Sequence, residues 1–198
     1  MRYERGLALI AMLMAIQSMV AQPPPPPRRD DARAVSRHIG DIRARLERTP
    51  PVDASQKELA GYTERYLDAA ARLLSAGEAF QAQRMTEAAD ACRRPIDHMQ
   101  HLGPKPLNPP PAPPLDDHLR RVYFRLRVSQ VFLDEIPPPA PRRLLELARI
   151  FYERALHEQQ NGHEQSANEY AASADDLTHA LESLAQASAT DNTAKLNP

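Results

Sequence analysis

Proline clusters divide this 198-residue chain into stretches of helical length. Because proline lacks the amide hydrogen and its ring clashes with the preceding helical turn, these clusters mark helix ends and linkers. Gly77 and Gly162 supply two further breaks. Between the breaks, apolar residues recur every three or four positions, which is typical of amphipathic helices and not of strands. The pattern predicts six helices, at 29–48, 53–76, 78–101, 116–136, 140–161 and 163–187.

Residues 1–21 have the layout of a secretory signal peptide. Arg2 and Arg5 precede an apolar run that is too short to span a bilayer comfortably. We expect cleavage after Ala21, with Ser18 as a second candidate site and an uncleaved anchor as the alternative. The mature chain has no other apolar run of membrane-spanning length. The protein is therefore predicted to be periplasmic or secreted.

The helical segments repeat along the chain. The apolar stripe of the third predicted helix has the same steps of four, three, four and three residues as that of the sixth, displaced by 85 residues. The first and fourth predicted helices align at a displacement of 87. We interpret the chain as two related three-helix units. The predicted organisation is a signal peptide at 1–21, a Pro-rich linker at 22–28, unit 1 at 29–101, a Pro-rich linker at 102–114, unit 2 at 115–187 and a disordered polar tail at 188–198.

Two segments carry small residues at matching positions of paired helices. They are Tyr66-x3-Ala70-x2-Leu73-x3-Gly77-x4-Ala82-x6-Ala89 and Phe151-x3-Ala155-x6-Gly162-x4-Ala167-x6-Ala174. This spacing resembles tetratricopeptide-type helical hairpins, in which small residues let paired helices approach closely. The resemblance covers about half of the mature chain and implies a short array of hairpins. Two small helical bundles are the alternative, and the predicted fold class is all-α in either case.

Asp97, His98 and His101 form the most metal-like cluster in the sequence. Histidines at i and i+3 share one face of a helix, and imidazole and carboxylate groups are common metal ligands. The matching positions of the second unit hold Ser183 and Gln186, so the repeat does not preserve the pair of histidines. A solvated helix end is the simpler interpretation, and no cofactor is predicted.

Motifs of catalytic chemistry are absent from the sequence. It contains no Gly-x-Ser-x-Gly, no His-Glu-x-x-His and no glycine-rich phosphate loop. The formal charge of −1 lacks the basic footprint of most nucleic-acid-binding proteins. The only cysteine, Cys92, lies in a core stripe and can form no intramolecular disulfide. We expect neither an enzyme nor a nucleic-acid binder, and we expect Asp90 and Asp175, the acids repeated within helices, to pair with arginines.

The fourth and fifth predicted helices contain more large apolar residues than one buried stripe can hold. Such an excess indicates either a buried helix or an interface. We predict a non-catalytic module that binds a protein or peptide through the face between the hairpins. The alternatives are a homodimeric structural protein and a metal or small-ligand sensor that uses the cluster around His98. The predicted partner-binding residues are Tyr62, Tyr66, Tyr123, Phe124, Phe132 and Tyr152.

Overall fold

A computed structural model describes residues 29–100, 102, 114–133 and 140–196. The predicted signal peptide, the first linker and most of the second linker lie outside these residues. The described part of the chain consists of α-helices without a β-strand, which confirms the predicted all-α fold. Each helix begins within one residue of its predicted start. The helices are α1 (Arg29–Arg48), α2 (Ala54–Ser75), α3 (Ala79–Gln100), α4 (Leu115–Phe132), α5 (Ala140–Gln160) and α6 (Glu164–Leu196).

The start of α2 shows how the sequence ends one helix and begins the next. Asp53 precedes the helix, and its Oδ1 accepts a hydrogen bond of 2.8 Å from the backbone N–H of Gln56. In return, the Oε1 of Gln56 accepts a bond of 2.7 Å from the backbone N–H of Val52. These bonds satisfy amide groups that the first helical turn leaves without partners. Together with Pro50 and Pro51, this cap separates α1 from α2.

The turns that join α2 to α3 and α5 to α6 have the same geometry. Gly77 and Gly162 have positive φ angles of 83° and 76°, which a residue without a Cβ adopts at little cost. Each turn is closed by a backbone bond of 2.9 Å to a carbonyl five residues earlier, a Schellman-type helix ending. The bonds run from the N–H of Glu78 to Leu73 and from the N–H of His163 to Glu158. The turns repeat one another at the 85-residue displacement of the sequence.

One hydrophobic core includes residues from all six helices. Cys92 on α3 is fully buried in it, as its place in the apolar stripe predicts. The alanines of the two tetratricopeptide-like segments are also fully buried, and small side chains allow helix axes to lie close together. These alanines are Ala70, Ala82, Ala89, Ala155, Ala167 and Ala174. Buried alanines are common to many helical bundles, so the family resemblance itself stays a prediction.

The last helix is longer than the sequence pattern predicts. α6 continues to Leu196, so the predicted disordered tail at 188–198 is wrong over all but its last two residues. The Oγ of Ser188 donates a hydrogen bond of 3.0 Å to the carbonyl of Leu184. The segment contains no glycine, and its first proline is Pro198, so nothing within it ends the helix.

The predicted end of α4 falls among residues that the structure does not describe. The helix is described to Phe132, whereas the sequence predicts it to continue to residue 136. Residues 134–139 lie outside the described part of the chain. The predicted end at 136 is therefore neither confirmed nor contradicted.

Candidate functional site

The outer side of α4 exposes large apolar side chains. Tyr123, Phe124 and Val131 are 53%, 66% and 72% exposed. The opposite side of the helix contributes Val122 and Leu126 to the core. Large apolar side chains that lie together on a protein surface are typical of an interaction site.

Two arginines complete this surface. Arg120 and Arg127 lie one turn before and one turn after Phe124, and residues three or four apart are neighbours on a helix. Both arginines are exposed, and neither forms an ion pair with another residue in the described part of the chain. We define the α4 outer face as Arg120, Tyr123, Phe124, Arg127 and Val131.

A groove runs between α4 and α5 beside this face. The rings of Tyr123 and Tyr152 line it, with centroids 6.2 Å apart and planes tilted by 38°. Burial, with a smaller effect of Tyr123, raises the pKa of Tyr152, so its phenol is neutral at physiological pH. The groove has a volume of about 470 Å³ and is lined by Asp116, Leu119, Arg120, Tyr123, Tyr152, Leu156 and Gln159.

The first unit offers an internal comparison for this face. α1 precedes the first hairpin and packs against α2 and α3, as α4 packs against α5 and α6. At the 87-residue displacement, the buried residues Val35 and Ile39 correspond to Val122 and Leu126, which are also buried. The positions of Tyr123, Phe124 and Val131 correspond to Ser36, Arg37 and Ala44, all of which are exposed. A helix in this place therefore does not need large apolar groups on its outer side.

Two of the predicted partner-binding residues lie in the core instead. Tyr62 and Tyr66 on α2 are 7% and 8% exposed and stack with ring centroids 6.2 Å apart. Burial, with Cys92 as a smaller contribution, raises the pKa of Tyr66. Including these tyrosines in an exposed surface is wrong, because their helical spacing is that of the buried stripe of α2. The side chain of Phe132 lies outside the described residues.

The predicted metal ligands have other partners. His98 lies between α3 and α6, where its Nδ1 is 2.8 Å from the Oε2 of Glu169 and its Nε2 is 3.1 Å from the Oδ2 of Asp176. Asp97 accepts a hydrogen bond from an arginine on its own helix, and His101 lies outside the described residues. Among the residues that the structure describes, no group of three or more His, Cys, Asp or Glu side chains is arranged to hold a metal ion.

The surroundings of His98 favour a charged imidazole. Both ring nitrogens face carboxylates, and only the imidazolium form donates from both. Burial disfavours the charge, but the hydrogen bonds to Asp176 and Glu169 outweigh burial and raise the pKa of His98 above its ordinary value. When it is protonated, His98 joins α3 to α6 by donating to both carboxylates.

Asp90 connects the same two helices through arginines. It is 6% exposed and accepts hydrogen bonds from the Nε of Arg93 at 3.1 Å and the Nη2 of Arg94 at 2.8 Å. Burial alone would raise the pKa of Asp90, but Arg94 and Arg93 together lower it below its ordinary value. Arg94 also donates to Asp176 at 3.1 Å, which links Asp90 to the carboxylate beside His98. The predicted pairing of Asp90 with arginine is confirmed.

Asp175 has an arginine partner on α4. The Nη1 of Arg125 donates to Asp175 at 2.8 Å, and its Nη2 donates to Glu182 at 2.7 Å. Burial lowers the pKa of Arg125, but Glu182 and Asp175 outweigh this effect and raise it overall. Arg125 thus holds α4 against α6, and the predicted pairing of Asp175 with arginine is confirmed.

Sequence reasoning missed the carboxylates that bind His98. Glu169 and Asp176 lie 71 and 78 residues further along the chain, so no local spacing relates them to the histidine. It also missed Arg120 and Arg127 as part of the outer face. Their signal was present in the sequence, because steps of four and three residues place them on either side of Phe124.

No helix among the described residues combines the length and the apolar character that crossing a membrane requires. Comparison of the chain with models of protein families, with curated proteins and with solved structures finds no match. The case for a function therefore rests on the geometry of the α4 outer face and the groove beside it.

Proposed function

We propose that this protein is an exported, non-catalytic helical module that binds another protein or a peptide through the α4 outer face and the adjoining groove. The observation that carries the proposal is the contrast between two helices in matching places. α4 exposes Tyr123, Phe124 and Val131, whereas α1 exposes small or polar residues at the matching positions. Aromatic residues and arginine are enriched at the centres of protein interfaces, where a few such residues supply most of the binding energy.

The way α4 is held supports a role as a rigid docking surface. Val122 and Leu126 fix the helix to the core, and Arg125 bonds to two carboxylates of α6. A surface that is ordered before binding loses little conformational entropy when its partner arrives. The outer face is therefore presented to a partner without rearrangement of the helix.

A different protein suits this face better than a second copy of the chain. An antiparallel pairing that stacks Tyr123 on Phe124 of a second copy would also bring Arg120 beside Arg127 of that copy. Juxtaposed like charges oppose association. We therefore assign the face to a heterologous partner, and the homodimer becomes an outcome of the test.

A selection of displayed random peptides on the purified chain tests the binding surface. We expect the enriched peptides to bind Phe124→Ala at least about tenfold more weakly than the wild type, because central aromatic residues dominate interface energies. Phe80→Ala is the matched control, since Phe80 is also exposed, at 42%, but lies on α3 against Arg84. Peptides that bind the wild type and Phe124→Ala equally well would contradict the proposal.

Light scattering separates the two possible occupants of the face. A monomer leaves the α4 outer face available to a different protein. A dimer that Phe124→Ala converts to monomer would assign the face to self-association and overturn the proposed function.

The proposed export has its own test. The apolar segment at 1–21 and its preceding arginines support a cleaved signal. Expression of the full chain in a bacterium, followed by fractionation and N-terminal sequencing, should give a periplasmic or secreted protein that begins at Gln22. Retention of the intact chain in the cytoplasm would contradict export.

A further inference from the structure

The charges of the α4 outer face point to the chemistry of its partner. From residue 120 to residue 132, α4 contains four arginines and no acidic residue. One of them, Arg125, turns inward and is paired with carboxylates of α6. The other three are exposed, and none forms an ion pair with another described residue. They are Arg120, Arg121 and Arg127. A partner of this face therefore meets guanidinium groups that form no ion pair within the described part of the protein, although Asp116 and Asp117 lie one helical turn before Arg120 and Arg121.

The positive charge alternates with apolar groups along one line. Arg120, Phe124, Arg127 and Val131 follow one another at steps of four, three and four residues. At a rise of 1.5 Å per residue, the line is about 16 Å long, or three helical turns. A second helix repeats its side chains at the same interval, so it can match each of these groups in turn.

We propose that the partner presents an acidic amphipathic helix, which lies along the α4 outer face at the edge of the adjoining groove. This proposal rests on the proposed function and names the class of its partner. The apolar stripe of that helix covers Tyr123, Phe124 and Val131, as amphipathic helices do in apolar grooves. Aspartate or glutamate residues beside the stripe bind Arg120 and Arg127, because the planar guanidinium group pairs with a carboxylate through two parallel hydrogen bonds.

The partner needs both its apolar stripe and its acidic residues to match the surface. A polyanion without apolar groups would neutralise the arginines but leave Phe124 and Val131 in water. An apolar helix with basic flanks would cover these side chains but face Arg120 and Arg127 with like charge. The alternation along α4 therefore selects a partner that is both apolar and acidic.

Three labelled synthetic peptides of equal length test the inference. The first carries leucines at helical spacing flanked by glutamates, the second has lysines in place of the glutamates, and the third has serines in place of the leucines. Fluorescence anisotropy measures their binding to the purified full chain. We expect the first peptide to bind at least about tenfold more tightly than either of the others, since the second lacks the charge pairs and the third lacks the apolar contacts.

Reversing the charge of the two arginines gives a variant for comparison with the wild type. Arg120 and Arg127 are exposed and lie outside the core, so the double variant Arg120→Glu, Arg127→Glu should fold normally. In this variant the order of affinities should invert, with the lysine peptide now binding more tightly than the glutamate peptide. Binding of the lysine peptide by the variant also demonstrates that the surface is intact.

The outcomes separate this inference from the proposed function. Equal affinity for the glutamate and lysine peptides, with both lost in Phe124→Ala, would overturn the acidic partner and leave the docking surface in place. Equal affinity for the leucine and serine peptides would show that the surface recognises only negative charge. This result would overturn the proposal of an amphipathic helical partner. If no peptide, designed or selected, binds in a manner that depends on Phe124, both proposals fail.

Discussion

His98 on α3 and Asp176 on α6 are 78 residues apart in the sequence, yet the His98 Nε2 lies 3.1 Å from a carboxylate oxygen of Asp176. Glu169 contacts the other ring nitrogen of His98, and Arg94 donates to the other oxygen of Asp176. The third helix of the first unit and the third helix of the second are thus joined by a row of charged groups. Removing one member leaves a partly buried charge without its partner, which destabilises a protein more than the loss of an exposed pair.

The stability of the fold should fall as the pH rises through the pKa of His98. Folding raises this pKa above its unfolded value of about 6.5, so the contribution is fully present below that pH and is lost as the pH passes the folded pKa. We expect a loss of about 1.5–3 kcal/mol, the size of a hydrogen bond to a charged group. Urea unfolding of the wild type and His98→Gln from about pH 5 to pH 9 measures this difference.

The comparison with His98→Gln isolates one titration among several. Glu169 and Asp176 on α6 contact the imidazole, Arg94 on α3 pairs with Asp176, and His118 on α4 interacts with the imidazole at longer range. Both proteins keep these groups, so their own titrations largely cancel. His38→Gln, at an exposed position of α1, is the matched control, and its stability should depend on pH as that of the wild type does. If the wild-type and His98→Gln stabilities stay parallel over the whole range, the charged form of His98 does not stabilise the fold.

Asp90→Ala should destabilise the protein by at least about 3 kcal/mol, because it removes a carboxylate that two arginines share in a buried setting. Asp68→Ala provides the comparison, since Asp68 pairs with Arg43 at 2.7 Å while its side chain is 60% exposed. An exposed pair contributes at most about 1 kcal/mol. Denaturant unfolding should therefore separate the two variants clearly. Equal losses of stability in the two variants would show that burial does not determine how much such a charge pair stabilises the fold.

Alanine substitution of the turn glycines should act through backbone conformation alone. Gly77→Ala and Gly162→Ala should each cost about 1–2 kcal/mol, because both residues have a positive φ that disfavours a Cβ. Gly40→Ala, within α1, should instead stabilise the protein by about 0.5–1 kcal/mol. A Cβ at any of the three positions would meet no atom within 4 Å beyond its neighbours along the chain, so steric contact does not contribute. Thermal unfolding measures all three, and a stabilised Gly77→Ala would contradict the turn geometry.

Phe124→Ala and Phe151→Ala should separate binding from folding. Phe151 is 1% exposed in the core, and its replacement should cost about 3–5 kcal/mol. Phe124 is 66% exposed, and its replacement should change the free energy of unfolding by no more than about 0.5 kcal/mol. Circular dichroism during urea unfolding tests both. A large loss of stability in Phe124→Ala would show that this side chain serves the fold and would remove the main support for a docking surface.

The local features of the fold follow from local features of the sequence. Prolines, capping residues such as Asp53 and the glycines of the two turns act on the backbone within a few positions, so helix starts are readable without a tertiary structure. The end of α6 was misjudged because a polar composition was taken for disorder. The segment 188–196 contains neither glycine nor proline, so it continues a helix whose preceding turns are anchored in the core.

For the described part of the chain, the sequence by itself determined that six amphipathic helices form, where they begin and that their pattern repeats, because these properties depend on neighbours three or four positions away. Only the tertiary structure decided which aromatic residues reach the surface. Tyr62 and Tyr123 both belong to helices rich in apolar residues, yet one is 7% and the other 53% exposed. The pairing of His98 with Glu169 was decided in the same way. Which apolar faces are covered, and which charged groups meet across helices, depends on side chains from distant parts of the chain, so the spacing within one helix does not fix them.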